Sequence, residues 1–209
     1  MSIYTPRPFL AADDAAIARL LHEHPFATLI TQGEAEPLVS HVPLQHRPAP
    51  GSKGVLLGHL ARANPHGQHF AGRASVAVFH GPHAYVSPSW YADPANAVPT
   101  WNYAVVHVHG KAELMGEAET RALLDELVQR YEGGRDKPWH LQLTGRPLAA
   151  MLQAIVGFRL TIERIDAKFK FSQNRSADDR ERVIAALHGE NYAEALATAE
   201  WMDRYARER

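Results

Sequence analysis

The sequence contains no cysteine. Disulfide bonds, thiolate zinc sites, iron–sulfur clusters and cysteine nucleophiles are therefore excluded. The first residues, MSIYTPRPFLAADDAA, do not place a basic segment before an apolar one, as a signal peptide does. No apolar run approaches the length that spans a bilayer. These absences predict a cytoplasmic protein that does not insert into a membrane.

An excess of charge and the glycine-rich nucleotide motifs are also missing. Lys and Arg total 22 and Asp and Glu total 23, so nothing favours sequence-independent binding to a phosphate backbone. Neither GxGxxG nor GxxxxGK(S/T) occurs. There is no GxSxG motif and no evident acid–base pair of carboxylates, so no catalytic residue is assigned. A nucleotide-like ligand would therefore be held by side chains.

Strand patterns follow one another with few helices between them, and helices close the chain. Predicted strands lie at 26–31, 37–44, 55–60, 74–79, 104–113 and 156–165, with a proline-rich loop between the fourth and the fifth. Predicted helices lie before Pro25, at 64–70, 117–131 and 147–153, and twice within 176–209 on either side of Gly189. Strands joined by hairpins or short helices favour an antiparallel barrel or sandwich over a doubly wound parallel sheet.

The densest aromatic segment is VSPSWYADPANAVPTWNY, residues 86–103. It holds two Trp, two Tyr, three Pro and two Ser, and it runs into the strand AVVHVHG. Tyr and Trp combine a large apolar body with a polar group, and proline restricts the loop. Such a segment suits contact with a flat polar ring, although anchoring of a loop to the core is an equally good interpretation.

Two further segments have the residue types of a ligand site. GHLARANPH (58–66) places His59, Arg62 and Asn64 between a strand and a short helix, where backbone N–H groups and a guanidinium can bind an anion. KFKFSQNRS (168–176) places Lys168 and Lys170 on one strand face, followed by amides and an arginine at a helix entrance. Capping and a solvated basic face are the structural alternatives for both segments.

A metal site is the least supported interpretation of the histidines. His107 and His109 share one strand face, which is a spacing that a metal site can use. No third ligand stands at a recognised spacing, so we assign no metal and favour histidines that fill a polar interface.

Together, FATLIT, SHVPL, GHLARANPH, VSPSWY, VPTWNYAVVHVHG and KFKFSQNR resemble the PaiB family of FMN-binding negative transcriptional regulators. The resemblance extends from residue 1 to about residue 188. It implies a mainly β (α+β) split β-barrel with peripheral helices, and a homodimer that binds FMN between its subunits. We expect an FMN-binding domain over 1–175 and a helical extension over 176–209 that packs on it.

The resemblance and the chemistry of FMN together suggest roles for the motif residues. Arg62, with Lys168 or Arg175, is expected near the phosphate. Polar edges of the ring suit Thr100, Asn102 and Gln173, and ring contact suits Trp90, Tyr91, Trp101 and Tyr103. His59, Asn64 and Ser87 complete the expected cofactor-binding set.

Several functions remain open at this level. The first is a regulator that senses flavin or redox state, and the second is an FMN-dependent oxidoreductase of the flavin-reductase or pyridoxamine-phosphate-oxidase type. Haem binding through the 13 histidines is a third, and a flavin-free scaffold is a fourth. Direct contact with DNA, or with the transcription machinery, is the weakest expectation, because the two C-terminal helices carry many acidic residues.

Overall fold

The structure, a computed structural model, describes residues 3–10 and 13–208. The helices are α1 (Asp14–Glu23), α2 (Glu117–Glu132), α3 (Gly145–Gln153), α4 (Ala177–Gly189) and α5 (Ala193–Arg207). The strands are β1 (Phe26–Gln32), β2 (Pro37–Pro43), β3 (Gln45–Arg47), β4 (Val55–Ala61), β5 (Ala74–Val86), β6 (Thr100–Leu114) and β7 (Ile155–Lys170). Short 3-10 turns include Pro65–His69 and Pro88–Trp90.

Local sequence signals account for the first elements. The carboxylate of Asp13 accepts a hydrogen bond of 2.8 Å from the backbone N–H of Ala15, and this bond caps α1. The helix buries Leu20 and Leu21 and ends two residues before Pro25. β1 and β2 then form the predicted antiparallel hairpin, in register from Phe26 opposite Pro43 to Gln32 opposite Pro37.

The strands form one seven-stranded sheet in the order β2-β1-β5-β6-β7-β4-β3. The pairs β1–β2, β1–β5, β3–β4 and β4–β7 are antiparallel. Within β4–β7, Val55 pairs with Thr161 and Ala61 with Ile155. The antiparallel mainly β arrangement with accessory helices confirms the predicted fold class.

Strands β5, β6 and β7 are longer than predicted, and β3 is an additional strand. β7 continues to Lys170, beyond the predicted end at residue 165. β5 continues to Val86 through residues that we interpret from sequence as a loop, and β6 begins at Thr100. Gly81 allows β5 to continue because a side chain would not fit at this position. A Cβ atom there would lie 2.9 Å from Leu20 Cδ1 and 3.1 Å from Ala104 Cβ. Glycine thus permits close packing within a strand, where sequence patterns suggest a turn. β3 was missed because it has only three residues.

The chain divides into two compact units. Unit one contains the described residues of Met1–His24, Phe79–His107 and Asp166–Arg209; unit two contains Pro25–Val78 and Val108–Ile165. The core of unit one includes an aromatic cluster made of Phe169, Phe171, Trp201 and Tyr205. In unit two, the rings of Phe70 and Phe158 lie 5.0 Å apart. None of the described helices is both long and apolar enough to span a membrane.

Candidate functional site

Unit two contains a cleft of about 530 Å³, a volume within the usual range of small-molecule sites. Its walls come from β2, β4, the turn that follows β4 and the start of β7. The lining residues are Val39, Ser40, His41, Val42, Pro43, His59, Leu60, Ala61, Asn64 and Ile155. Two residues expected to bind the cofactor, His59 and Asn64, therefore line one cleft.

His59 lines this cleft and has one buried polar atom without a partner. The side chain is half-buried on β4, and its Nδ1 is buried without a hydrogen-bond partner in the described protein. Burial lowers the pKa of His59 below its ordinary value, so the ring is neutral at neutral pH. Because a buried polar atom without a partner costs free energy, this nitrogen is suited to pairing with a bound ligand.

A hydrogen-bond network fixes the wall beside His59. Asn64 Nδ2 donates to Ser40 Oγ at 3.1 Å, and Ser40 Oγ lies 2.8 Å from Nδ1 of His66. The carbonyl oxygen Oδ1 of Asn64 accepts from the backbone N–H of His66 at 3.0 Å, which caps the 3-10 turn Pro65–His69. The network ties β2 to the segment after β4, so Ser40 and Asn64 are held in place before any ligand binds.

Arg62 has a structural role that its motif does not reveal. Its Nε donates to the carbonyl oxygen of Gln153 at 2.6 Å, and its Nη2 donates to that of Ile155 at 2.7 Å. The side chain lines a second cavity of about 270 Å³ with Gln153 and Ile155. The guanidinium is therefore largely engaged by the end of α3 and the start of β7, and Nη1 is the group left for a ligand.

In unit one, several expected ring-contact residues lie on an exposed aromatic surface. The Trp101 side chain is exposed, with its ring centre 6.2 Å from that of His83 and 6.3 Å from that of Tyr85. A cavity of about 420 Å³ is lined there by His80, Gly81, His83, Trp101, Tyr103, Ala104 and Val105. Trp101 and Tyr103 are thus brought together in a mainly apolar recess.

The lysines of β7 lie beside the first residues of β6. Lys168 donates to the carbonyl oxygen of Tyr4 at 2.9 Å, and its Nζ lies 5.4 Å from the centre of the Tyr103 ring. Lys170 donates to the hydroxyl of Thr100 and, at 2.6 Å, to the carbonyl oxygen of Trp101. Burial and the nearby Lys168 and Arg175 charges lower the pKa of Lys170.

Tyr91 and Ser87 stabilise the loop that contains them. The guanidinium carbon of Arg175 lies 4.3 Å from the centre of the Tyr91 ring, and Tyr91 is buried. The hydroxyl of Ser87 accepts from the backbone N–H of Ser89 and so begins the turn that contains Trp90. The anchoring interpretation therefore applies to Ser87 and Tyr91, whereas Trp101 remains available at the surface.

Two residues that were expected to contact the polar edges of the ring are hydrogen-bonded within the protein instead. Asn102 is fully buried, and its Nδ2 donates to Ser172 Oγ at 3.0 Å and to the thioether sulfur of Met202 at 3.3 Å. Gln173 accepts from the backbone N–H of Phe171 and donates to the carbonyl oxygen of Phe169. Asn102 therefore offers no surface to a ligand in this structure, and the Gln173 amide shapes the turn after β7.

Sequence reasoning missed Ser40, His41 and His66 as neighbours of the expected cofactor residues. Ser40 and His41 stand in the quoted motif SHVPL, and His66 ends GHLARANPH. The available signal was that both segments contain imidazole groups and that SHVPL adds a hydroxyl group, but their proximity depends on the placement of the strands. Within residues 3–10 and 13–208, no group of three His, Asp or Glu side chains is arranged to hold a metal ion.

Comparison with known proteins identifies the family. The profile of the family described as "Putative FMN-binding domain" matches residues 3–164. The Bacillus subtilis protein named "Protease synthase and sporulation protein PAI 2" is 36% identical over 204 residues, which cover 96% of this chain and 97% of that protein.

Two solved structures resemble the chain in fold. The FAD and haem binding protein from Mycobacterium smegmatis is 20% identical with a TM-score of 0.61, over 84% of this chain and 78% of that one. The flavocytochrome Anf3 from Azotobacter vinelandii is 18% identical with a TM-score of 0.61, over 85% and 78%. At these identities the likeness establishes the fold alone, and it confirms the predicted split barrel.

The family match and the relative agree with the motif-based expectation. The match to an FMN-binding domain confirms FMN as the expected cofactor, and the relative spans nearly the whole chain. The chain therefore belongs to the PaiB family of FMN-binding split-barrel proteins.

Proposed function

We propose that the cleft of unit two holds part of FMN and that His59, Asn64 and Ser40 bind it. The observation that carries this proposal is the buried Nδ1 of His59, which lacks a partner in the described protein and belongs to a side chain that lines a cleft of about 530 Å³. The donor set fits the cofactor, because imidazole, amide and hydroxyl groups can pair with the polar edge or the ribityl hydroxyls of a flavin.

The residues of this cleft bind and orient the cofactor. FMN, when bound, supplies reversible electron transfer. The Asn64–Ser40–His66 network keeps the polar wall rigid, so that little side-chain entropy is lost on binding. Arg62 offers Nη1 to the phosphate, while its other nitrogens hold Gln153 and Ile155.

The aromatic surface of unit one supports the expectation of a homodimer. Trp101 is 53% exposed and Tyr85 is 41% exposed, which is unusual for neighbouring large aromatic side chains. Aromatic residues are enriched at protein interfaces. This surface is suited to packing at a subunit boundary, where Trp101 and Tyr103 contact a flavin ring.

We propose a regulatory role for the flavoprotein in the cytoplasm. The name of the B. subtilis relative refers to protease synthesis and sporulation, and a regulator fits that description better than a metabolic enzyme does. α4 carries Asp178 and Asp179 in its first turn, and α5 carries Glu194. Acidic helices of this kind do not favour a major groove, so the partner is expected to be a protein rather than DNA.

Haem binding is a second candidate, favoured by one observation. The cavity of about 420 Å³ in unit one places His80 and His83 beside Trp101 and Tyr103 in a mainly apolar recess. Imidazole in an apolar recess is a common haem environment. Addition of haem followed by absorbance spectroscopy tests it, since bound haem gives a sharp Soret band that His80→Ala or His83→Ala would remove.

Titration of the apoprotein with FMN tests the main proposal. We expect His59→Leu to weaken FMN binding by roughly tenfold or more, because one buried hydrogen bond is lost without a change in side-chain bulk. Flavin fluorescence quenching measures the dissociation constant. His46→Leu is the matched control, since His46 lies on β3 outside the cleft.

The outcomes separate the competing functions. Equal FMN affinity in His59→Leu and in the unchanged protein would remove the cleft assignment. Oxidation of NAD(P)H by the FMN-loaded protein, in proportion to added electron acceptor, would replace regulation with the oxidoreductase alternative. A protein that neither quenches FMN fluorescence nor gains thermal stability from FMN would be a flavin-free scaffold.

A further inference from the structure

A third cavity lies in unit one, in a part of the chain beyond the family match. Its volume is about 360 Å³, which is sufficient for a small molecule. The lining residues are Phe171, Gln173, Arg180, Ile184, Met202, Tyr205 and Ala206, from the end of β7, α4 and α5. The family profile ends at residue 164, so this cavity is built by residues that the profile does not describe.

Arg180 is the one cationic side chain of that lining. It is half-buried, and it makes no ion pair or side-chain hydrogen bond with the described residues. The two carboxylates that precede it on α4 have other partners: Asp178 accepts from Arg182 at 2.8 Å, and Asp179 accepts from the backbone N–H of Ala92 at 2.9 Å. A half-buried guanidinium whose acidic neighbours are engaged elsewhere is suited to an anionic ligand.

Four of the other lining residues present aromatic or aliphatic side chains. Phe171 and Tyr205 pack edge to face with ring centres 5.7 Å apart, and Ile184 and Met202 add aliphatic surface. The Gln173 amide is already bound to the backbone at Phe169 and Phe171. The cavity therefore combines one positive charge with aromatic and aliphatic side chains, in a lining that also has polar surface.

We propose that this cavity binds a small monocarboxylate with a compact apolar body, and that benzoate is a suitable probe. A guanidinium and a carboxylate form two parallel hydrogen bonds, while the aromatic and aliphatic walls bury the ring. A phosphate dianion would call for more than one cation, and a neutral molecule would leave Arg180 unpaired and desolvated. None of its lining residues lines the cleft of unit two.

Methionine-methyl NMR gives a direct test on the full-length protein. The sequence has four methionines, and Met202 lines the cavity, whereas Met115 lines a cavity of unit two and Met151 is exposed on α3. We expect benzoate to shift the Met202 methyl signal in a saturable manner and to leave Met115 and Met151 unchanged. Met202→Leu assigns the signal.

Charge variants complete the test. Arg180→Gln is expected to weaken benzoate binding by roughly tenfold or more, and benzamide, which lacks the charge, is expected to bind the unchanged protein as poorly. Arg146→Gln, at an exposed position of α3 outside this cavity, is the charge-matched control and should retain binding. Equal shifts from benzamide and benzoate, full binding by Arg180→Gln, or no Met202 shift at all would each overturn the proposal. FMN affinity measured on the same samples reports on the cleft of unit two independently.

Discussion

At the scale of single residues, side chains from the same motif have different tasks. In GHLARANPH, His59 lines a cleft and has an unpaired buried nitrogen, while Arg62 holds two backbone carbonyl oxygens and Asn64 caps a turn. Composition predicts that such residues bind polar groups, but it does not say whether the groups belong to a ligand or to the chain. Burial and hydrogen-bond geometry make that distinction.

Removal of the Ser40 hydroxyl tests the polar wall of the cleft. Ser40→Ala leaves Nδ1 of the buried His66 and Nδ2 of Asn64 without their partner. We expect the free energy of unfolding to fall by about 1–3 kcal/mol, the usual cost of unsatisfied buried groups. Urea denaturation of the apoprotein measures it. Thr144→Ala is the control, because the exposed Thr144 makes no capping bond; a similar loss in both variants would contradict the role of the network.

At the scale of elements, strand length depends on a few glycines that allow close backbone approach. Gly81 lets β5 continue where a proline follows, and Gly110 lies within β6 against β7. In a sequence, glycine and proline are interpreted as the ends of strands. The predicted β5 therefore ends too early, and the predicted β6 begins too late. The helices and the hairpin were predictable, because their signals are caps and alternation between residues close in sequence.

A methyl group at position 110 should disrupt the β6–β7 contact. In Gly110→Ala the added Cβ would lie 1.9 Å from the carbonyl oxygen of Thr161, and a backbone atom cannot move aside easily. We expect a loss of about 1–3 kcal/mol or more in the free energy of unfolding. Thermal and urea denaturation measure it. Gly134→Ala, with open space around the site, is expected to change stability by no more than about 0.5 kcal/mol, and equal effects would refute the steric explanation.

At the scale of the whole molecule, the family and fold class were predictable from the ordered set of motifs, and much of the site was not. Asn102 and Ser172 meet across a separation of 70 residues, which no local pattern reveals. The cavity around Arg180 likewise needs the placement of β7, α4 and α5 together. The aromatic segment 86–103 contains both buried and exposed aromatic residues, since Tyr91 is buried and Trp101 is exposed.

Buried histidines in both units should make stability depend on pH. Burial lowers the pKa values of His24, His59 and His66 below the ordinary value near 6.5. The unfolded chain therefore takes up protons first as the pH falls, so stability is fully present above about pH 6.5 and declines below it. Melting temperatures of the apoprotein between pH 8 and pH 5 test this. His59→Leu should reduce the dependence, and a melting temperature that rises on acidification would contradict it.

The two hydrogen bonds of Arg62 have a consequence for the apoprotein and the holoprotein. The carbonyl oxygens of Gln153 and Ile155 now occupy two of its nitrogens, so a phosphate that claimed the whole guanidinium would compete with the backbone for it. A phosphate that binds Nη1 alone leaves both of these hydrogen bonds in place. The junction of α3 and β7 would then keep its side-chain support in the apoprotein and in the holoprotein alike.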